Sequence, residues 1–303
     1  MSWIEIKDYR AGGWEPNTNA DARSFHYCRQ LEQGQILFFP QPPFQLPLED
    51  SSYLISQPQT DSRLHKNISY RPETDLLRGF GGGREDEKRV RGIMRSYSSQ
   101  VTEFVSTFLA PYANKLQRDY ASFRPLEEEG RDLPLHKRND LLHVDAFPSR
   151  PTCGGRILRV FTNLNPSKGR LWLTGQRFPA LAERYAKPAG LETIVASGTR
   201  RGVMHALHAV GLPVADRSAY DEFMLHFHDY LKENTEFQQS RDKERIEFPP
   251  LATWLVFTDG VPHAALSGQY AMEQTFIVPA GALVSREDAP IAVLERICGR
   301  KMA

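Results

Sequence analysis

The sequence predicts a mixed α+β protein with a mainly β core, a jelly-roll buttressed by helices, and three observations point there. Short strand-like runs crowd the second half of the chain: LLHVDAF, RILRVFTNLNP, RLWLTG, TWLVFTD and EQTFIVP, separated by Pro and Gly turns. A long amphipathic helix at 85–109 precedes them, and a helix-patterned insertion at about 178–245 interrupts them. Strands spaced this way suit a closed antiparallel arrangement better than a βαβ sheet. The chain has 303 residues, 40% of them hydrophobic, enough to bury a substantial core. It contains no repeat and no composition break, so 1–303 reads as one domain. Helices and strands occupy 1–134, the jelly-roll core 135–285, and a C-terminal segment 286–303.

Taken in order, residues 20–33 are helix-compatible and stop at Gly34, and GQILFFP follows as a short buried strand closed by Pro40. The Pro-rich PQPPFQLPLEDSS reads as a loop. Residues 57–84 hold few apolar side chains and end in GFGGGR, which lacks the GK[ST] ending of a phosphate-binding loop and reads as a turn. In the long helix, Val90, Ile93, Met94, Tyr97, Val101, Phe104, Val105 and Phe108 recur at spacings of three and four. They form one apolar stripe that should pack across the outside of a sheet. A second helical piece is expected at 112–120. The acidic run Glu127-Glu128-Glu129 reads as a solvated loop. In the insertion, Phe223, Phe227, Tyr230 and Leu231 give DEFMLHFHDYLKEN an apolar helix face.

Composition narrows the function classes. A net charge of +1 offers no bulk electrostatic case for nucleic-acid binding. Cys28, Cys153 and Cys298 are odd in number and far apart, so neither a disulfide framework nor a zinc ribbon is supported, and a reducing compartment fits. The start MSWIEIKDYR has no signal-peptide pattern, and no run approaches the roughly 18 apolar residues of a membrane span. The expectation is a cytoplasmic protein, at most peripheral to a membrane, with no protein partner implied.

The chemistry lies in the histidines. His143 and Asp145, in LLHVDAF, are two residues apart, and in extended chain side chains at i and i+2 share a face, so both can reach one ion. A third ligand must come from elsewhere, and TDGVPHAAL offers His263 just after the TWLVF strand. Two imidazoles and one carboxylate make the facial set of non-haem Fe(II) oxygenases, with positions left open for a keto-acid and O2. Other histidine pairs fit less well. His226 and His228, at i and i+2 in a helical stretch, point to different sides and read as surface or packing. His205 and His208 share a face but have no carboxylate in phase.

The sequences HVDAFPSRPTCGGRILRVFTNLNP and TWLVFTDGVPHAALSGQYAMEQTFIVP resemble the Kdo 3-hydroxylase family. That resemblance implies a double-stranded β-helix, with Fe(II), 2-oxoglutarate and O2 as cofactor and co-substrates and ascorbate as a supporting reductant. The implied reaction is hydroxylation at C3 of 3-deoxy-D-manno-oct-2-ulosonic acid (Kdo) in a lipid A precursor of lipopolysaccharide, which implies contact with the cytoplasmic face of an inner membrane. Many relatives in the wider superfamily carry a cation nine to eleven residues after the distal histidine. Here that window holds Met272, Glu273 and Gln274, and the dianion needs another partner, best a guanidinium. Strand alternation in RILRVFTNLN puts Arg159 on one face with Ile157, Phe161 and Asn163, and Arg156 on the other. Arg159 is therefore the first candidate for the distal carboxylate of 2-oxoglutarate, Arg156 the second, and Asn163 matches a position that faces the co-substrate in similar enzymes. Arg124, Arg150, Lys168 and Arg170 are candidates for the anionic substrate, and Trp172 for a sugar platform or core. Alternatives at this stage are a hydroxylase of another sugar, lipid or protein, a non-catalytic jelly-roll binding module, and a zinc hydrolase.

Overall fold

The computed structural model describes residues 2–57, 67–197 and 216–303; His205 and His208 fall outside them. Two facing sheets form the core. The larger has eight strands in the order Trp3–Glu5, Ile36–Phe39, Thr253–Phe257, Arg156–Asn163, Ala271–Val278, Gln117–Arg124, Ile68–Arg71 and Leu76–Arg78. The smaller runs Glu244–Phe248, Arg170–Thr174, His263–Ser267. Strands distant in sequence lie side by side and pair antiparallel, apart from the parallel Trp3–Glu5 edge. This is the mainly β core that the spacing of the apolar runs predicts.

The large sheet is buried on both faces, which is why its strands read as unbroken apolar runs. Within Thr253–Phe257, Leu255 and Phe257 join Leu158, Val160, Met272 and Phe276 under the helices. Trp254 and Val256 point the other way, between the sheets, with Phe161, Trp172 and Phe248. The helix Arg84–Phe108 lays its predicted stripe on the first cluster, with every one of those eight side chains buried. Helix Ala20–Glu32 joins it there, capped by the Asn19 side chain, which accepts from the Ala22 amide. The insertion packs its helices Phe178–Tyr185, Leu191–Ala196 and Ala219–Glu233 into a third cluster.

Several local expectations give way. Residues 112–120 are not helical: a 3-10 turn at Ala110–Tyr112 leads into the strand Gln117–Arg124, whose Ala121 and Phe123 alternate inward. The Pro-rich loop contains a helix, Leu48–Ser56, with Pro47 before it and Glu49 and Asp50 in its first turn, start signals that the prolines masked. Two strands, Ile68–Arg71 and Leu76–Arg78, lie in the apolar-poor stretch, since edge strands need little apolar content. LLHVDAF is not a strand; it makes a single bridge, His143 to His263.

Between the sheets, Trp254 stacks on Phe248 (3.9 Å, 4°) and on Phe161 (5.2 Å, 16°) and is fully buried. Replacing Trp254 by Ala should lower stability by about 3–5 kcal/mol, read from chemical denaturation, and Trp254→Phe should lose distinctly less. Equal losses would show that the stack does not organise this core.

Candidate metal centre

The three candidate ligands meet because backbone pairing brings them together. The His143 amide donates to the His263 carbonyl (3.2 Å) and the His263 amide to the His143 carbonyl (3.0 Å). The Asp145 amide donates to the Thr258 carbonyl (2.8 Å), so the HxD segment is stitched to the turn that follows the Thr253–Phe257 strand. His143 Nε2 lies 3.6 Å from Asp145 Oδ1, and His263 Nε2 lies 3.9 Å from Asp145 Oδ2. Each ring directs Nδ1 at a backbone carbonyl: His143 at Leu141 (2.7 Å) and His263 at Val261 (2.9 Å). A carbonyl only accepts, so the Nδ1 atoms carry the protons and the Nε2 lone pairs face Asp145.

Electrostatics put the three in the form that a divalent cation requires. Burial pushes His143 down to about 3, against the pull of Asp145. Burial likewise lowers His263, again opposed by Asp145. Burial alone would raise Asp145, but the adjacent Arg159 guanidinium and the two imidazoles outweigh it and hold the carboxyl well below the usual range. Near neutral pH the cluster is two neutral imidazoles and a carboxylate. Asp145 Oδ2 sits 2.9 Å from Arg159 Nε, yet neither atom has an aligned hydrogen bond, so a buried carboxylate oxygen remains available to a cation. The donor set fits Fe(II).

Around the cluster opens a cavity of about 970 Å³. Arg159 points into it, on the same face as Phe161, as alternation required. It pairs with Glu273 as well as Asp145. Glu273 also holds Arg124, whose Nε donates at 2.8 Å. Glu273 thus occupies the window where a cation is common elsewhere, and it holds two guanidinium groups in place. Burial would raise this carboxyl, but Arg124 and Arg159 keep it low. Met272 and Phe276 pack under the helices, so alternation turns Glu273 to the opposite face, with Phe161 opposite it in the register.

The other candidates divide. Arg170 lines the cavity, buried, with Nη2 3.1 Å from Glu128 and Nη1 donating to the Gly268 carbonyl (2.9 Å). Trp172 lines it too and stacks on the His263 ring (5.2 Å, 21°). Arg156 lies elsewhere: it makes a buried pair with Asp259 (2.7 Å) under Phe257, so the second choice for a co-substrate contact is corrected. Asn163 is also outside the cavity lining; its amide donates to the carbonyls of Lys168, Phe248 and Pro249 and its oxygen accepts from the Asn165 amide, which fixes a turn. Lys168 is exposed on that turn and does not line the cavity. Arg150 pairs with Asp119 between the rings of Tyr120 and Phe147, one layer behind.

Two readings are overturned. The acidic run is not merely solvated: Glu128 is 5% exposed and accepts from Arg170 and Asn139, while Glu127 accepts from the Gly268 amide. Buried guanidinium groups draw these carboxylates inward, which no local pattern announces. His228 is not mere packing either. Its ring centroid is 4.8 Å from that of His143, and His143, Asp145 and His228 each offer a ligand atom within 4.8 Å of the others. His228 and Lys232, one helical turn apart, both line the cavity, while His226 is exposed.

A jelly-roll that gathers two neutral imidazoles and an ionised carboxylate at its open end is the architecture of a non-haem Fe(II)/2-oxoglutarate dioxygenase, and this chain is of that class. Residues 14–301 match the family model for 3-deoxy-D-manno-oct-2-ulosonic acid (Kdo) hydroxylase, and the chain belongs to that family. The chain is similar to the crystal structure of the Kdo hydroxylase KdoO, a non-heme Fe(II) alphaketoglutarate-dependent dioxygenase, with alphaketoglutarate and Fe(III). Identity there is 34% and the TM-score 0.84, covering 100% of this chain and 98% of that one. The cobalt(II) complex matches at 33% identity and TM-score 0.84, and the succinate–Fe(III) complex at 34% and 0.82, each covering 100% of this chain and 97% of the other. No curated protein matches the sequence. The hydrolase and binding-module alternatives fall away.

Two outcomes test the electrostatics. Glu273→Ala leaves two buried guanidinium groups without their shared partner and should destabilise the fold by about 3–5 kcal/mol in urea. The second concerns acid. An unfolded His143 takes up its proton near 6.5 and the folded one near 3, so the unfolded state binds more protons between these values. Metal-free protein should therefore lose stability as pH falls from about 6.5 towards 3, by at most about 1.4 kcal/mol per unit from this imidazole. His143→Leu should flatten the urea-midpoint profile there; an unchanged slope would remove the imidazole as its source.

Proposed function

We propose that this protein hydroxylates C3 of Kdo carried on a lipid A precursor, using Fe(II), 2-oxoglutarate and O2 and releasing succinate and CO2. The observation that supports the reading best is the cavity beside the imidazole–carboxylate cluster, in whose wall six Arg and Lys side chains stand against three carboxylates. A keto-acid dianion and an acidic sugar both require such a wall.

In this reading His143 Nε2, Asp145 and His263 Nε2 hold Fe(II), with His228 near but outside the set. Fe(II), once bound, supplies the O2 activation that couples 2-oxoglutarate decarboxylation to C–H oxidation. The chain's own residues do the rest. The carbonyls of Leu141 and Val261 fix the ring orientations and tautomers through Nδ1. Arg159, already beside Asp145, fixes the distal carboxylate of 2-oxoglutarate. Arg124 and Arg170, held in place by Glu273 and Glu128, face the sugar carboxylate. Trp172 braces His263 and closes the cavity floor against water. Among the described residues no helix is long and apolar enough to cross a membrane. In this reading a lipid-borne acceptor is reached by peripheral contact at the cytoplasmic face of the inner membrane.

Purified protein incubated with a Kdo-bearing lipid A precursor should yield a product heavier by one oxygen, by mass spectrometry, in proportion to succinate. Asp145→Ala should abolish iron-dependent succinate release in a folded protein; full activity would remove Asp145 from the mechanism. Arg159→Ala should raise the KM for 2-oxoglutarate about ten- to a hundredfold, as loss of a charge-assisted contact of roughly 1.5–3 kcal/mol implies. A change confined to the sugar KM would move Arg159 to the substrate side.

A further inference from the structure

His228 belongs to neither the barrel nor the HxD segment. It comes from the insertion helix Ala219–Glu233, which buries Phe223, Phe227 and Leu231 in the insertion's own apolar cluster and turns His228 and Lys232 to the cavity. Its Nδ1 lies 2.9 Å from the Val144 carbonyl, the residue between His143 and Asp145. That contact requires the proton on Nδ1 and leaves Nε2 as a lone-pair acceptor. The carboxylate nearest Nε2, Asp229 Oδ1, is 3.9 Å away, beyond hydrogen-bond range. The ring lines the cavity, edge-on to His143 (76°).

The rest of that wall is rich in donors, and of its carboxylates Asp145 sits in the imidazole cluster and Glu127 accepts from backbone amides, with Asp132 exposed. Arg124, Arg159, Arg170 and Lys232 present only donors. Behind the wall, Glu128 and Glu273 are engaged by the guanidinium groups of Arg170 and Arg124. A polyol brings hydroxyl donors as well as a carboxylate, and its hydroxyls need acceptors close to the reacting carbon. Lys232, four residues on and on the same helix face, donates to the His136 carbonyl (2.9 Å) and keeps further N–H groups for an anion.

We infer that His228 is a substrate-positioning residue: its Nε2 accepts a hydrogen bond from a sugar hydroxyl next to the carbon oxidised. With Lys232 it forms an acceptor–donor pair that reads a hydroxylated acid. The inference rests on the acidic-sugar reading of the site and adds the group that orients the sugar. Placement on a helix outside the barrel lets the insertion govern which sugar is accepted while the metal set stays unchanged.

The test compares full-length wild type, His228→Ala and His228→Gln. Two measurements are made: Co(II) affinity from the visible spectrum without substrate, and, with Fe(II), 2-oxoglutarate and a Kdo-bearing lipid A precursor, the sugar KM and hydroxylated product per succinate. His228→Ala should bind Co(II) within about twofold of wild type, raise the sugar KM about five- to tenfold, and lower product per succinate severalfold as the misplaced C–H escapes oxidation. His228→Gln, which offers an amide oxygen, should recover much of both. A tenfold loss of Co(II) affinity in His228→Ala would make the imidazole a metal ligand and overturn the inference. Unchanged sugar KM and coupling, in a protein whose wild type hydroxylates the sugar, would overturn it and leave the function standing. A wild type that leaves the sugar unmodified overturns the substrate reading and this role with it.

Discussion

The two backbone hydrogen bonds between His143 and His263 carry the whole site, because they bring together side chains that are more than a hundred residues apart. Such a bridge fixes the separation of two Cβ atoms more rigidly than any side-chain contact. The amide of Asp145, on the Thr258 carbonyl, adds a third point and sets the carboxylate between the rings. Once the backbone is held this way, each imidazole needs only one further restraint, and a nearby carbonyl supplies it at Nδ1. Backbone pairing thus sets the geometry of the candidate ligands and leaves little to side-chain torsion.

Charge is the second constraint. A keto-acid oxygenase must keep several guanidinium groups dry, and dry cations destabilise a fold unless paired. Here Glu273 serves Arg124 and Arg159 together, and Glu128 serves Arg170 with Arg131 nearby (3.6 Å). Pairing of this kind orients the guanidinium planes without neutralising the wall, since donors remain for a ligand. It also explains why the loop after Gln117–Arg124 turns inward, although its composition suggests a solvated surface: Glu128 follows the arginines.

Two layers divide the work. The barrel and the HxD segment bridged to it supply the candidate ligands and the arginines, and between the sheets lies the aromatic cluster of Phe248, Trp254, Phe161 and Trp172. Trp172 links the two functions, packed on Trp254 on one side and on His263 on the other. The insertion supplies His228 and Lys232 from a helix with its own apolar core. Changes in that helix can alter recognition without disturbing the stack.

By itself the sequence determined whatever depends on neighbours a few residues away. The stripe of the long helix, the buried strands, and the alternation that turns Arg159 inward and Arg156 outward follow from helical and strand periods, and the HxD spacing follows from extended chain. Even the family was legible, since two long segments around the candidate ligands carry it. Tertiary structure alone decided the rest. Asn163 shares the alternation of Arg159, yet a local turn claims its side chain, and Arg156, on the opposite face, is claimed by Asp259. His228 reaches the cavity, and Glu273 and Glu128 reach the arginines that line it, because strands and an insertion distant in sequence bring them together. Long-range pairing, not local propensity, selects which buried charges meet, and that selection is invisible until the chain is folded.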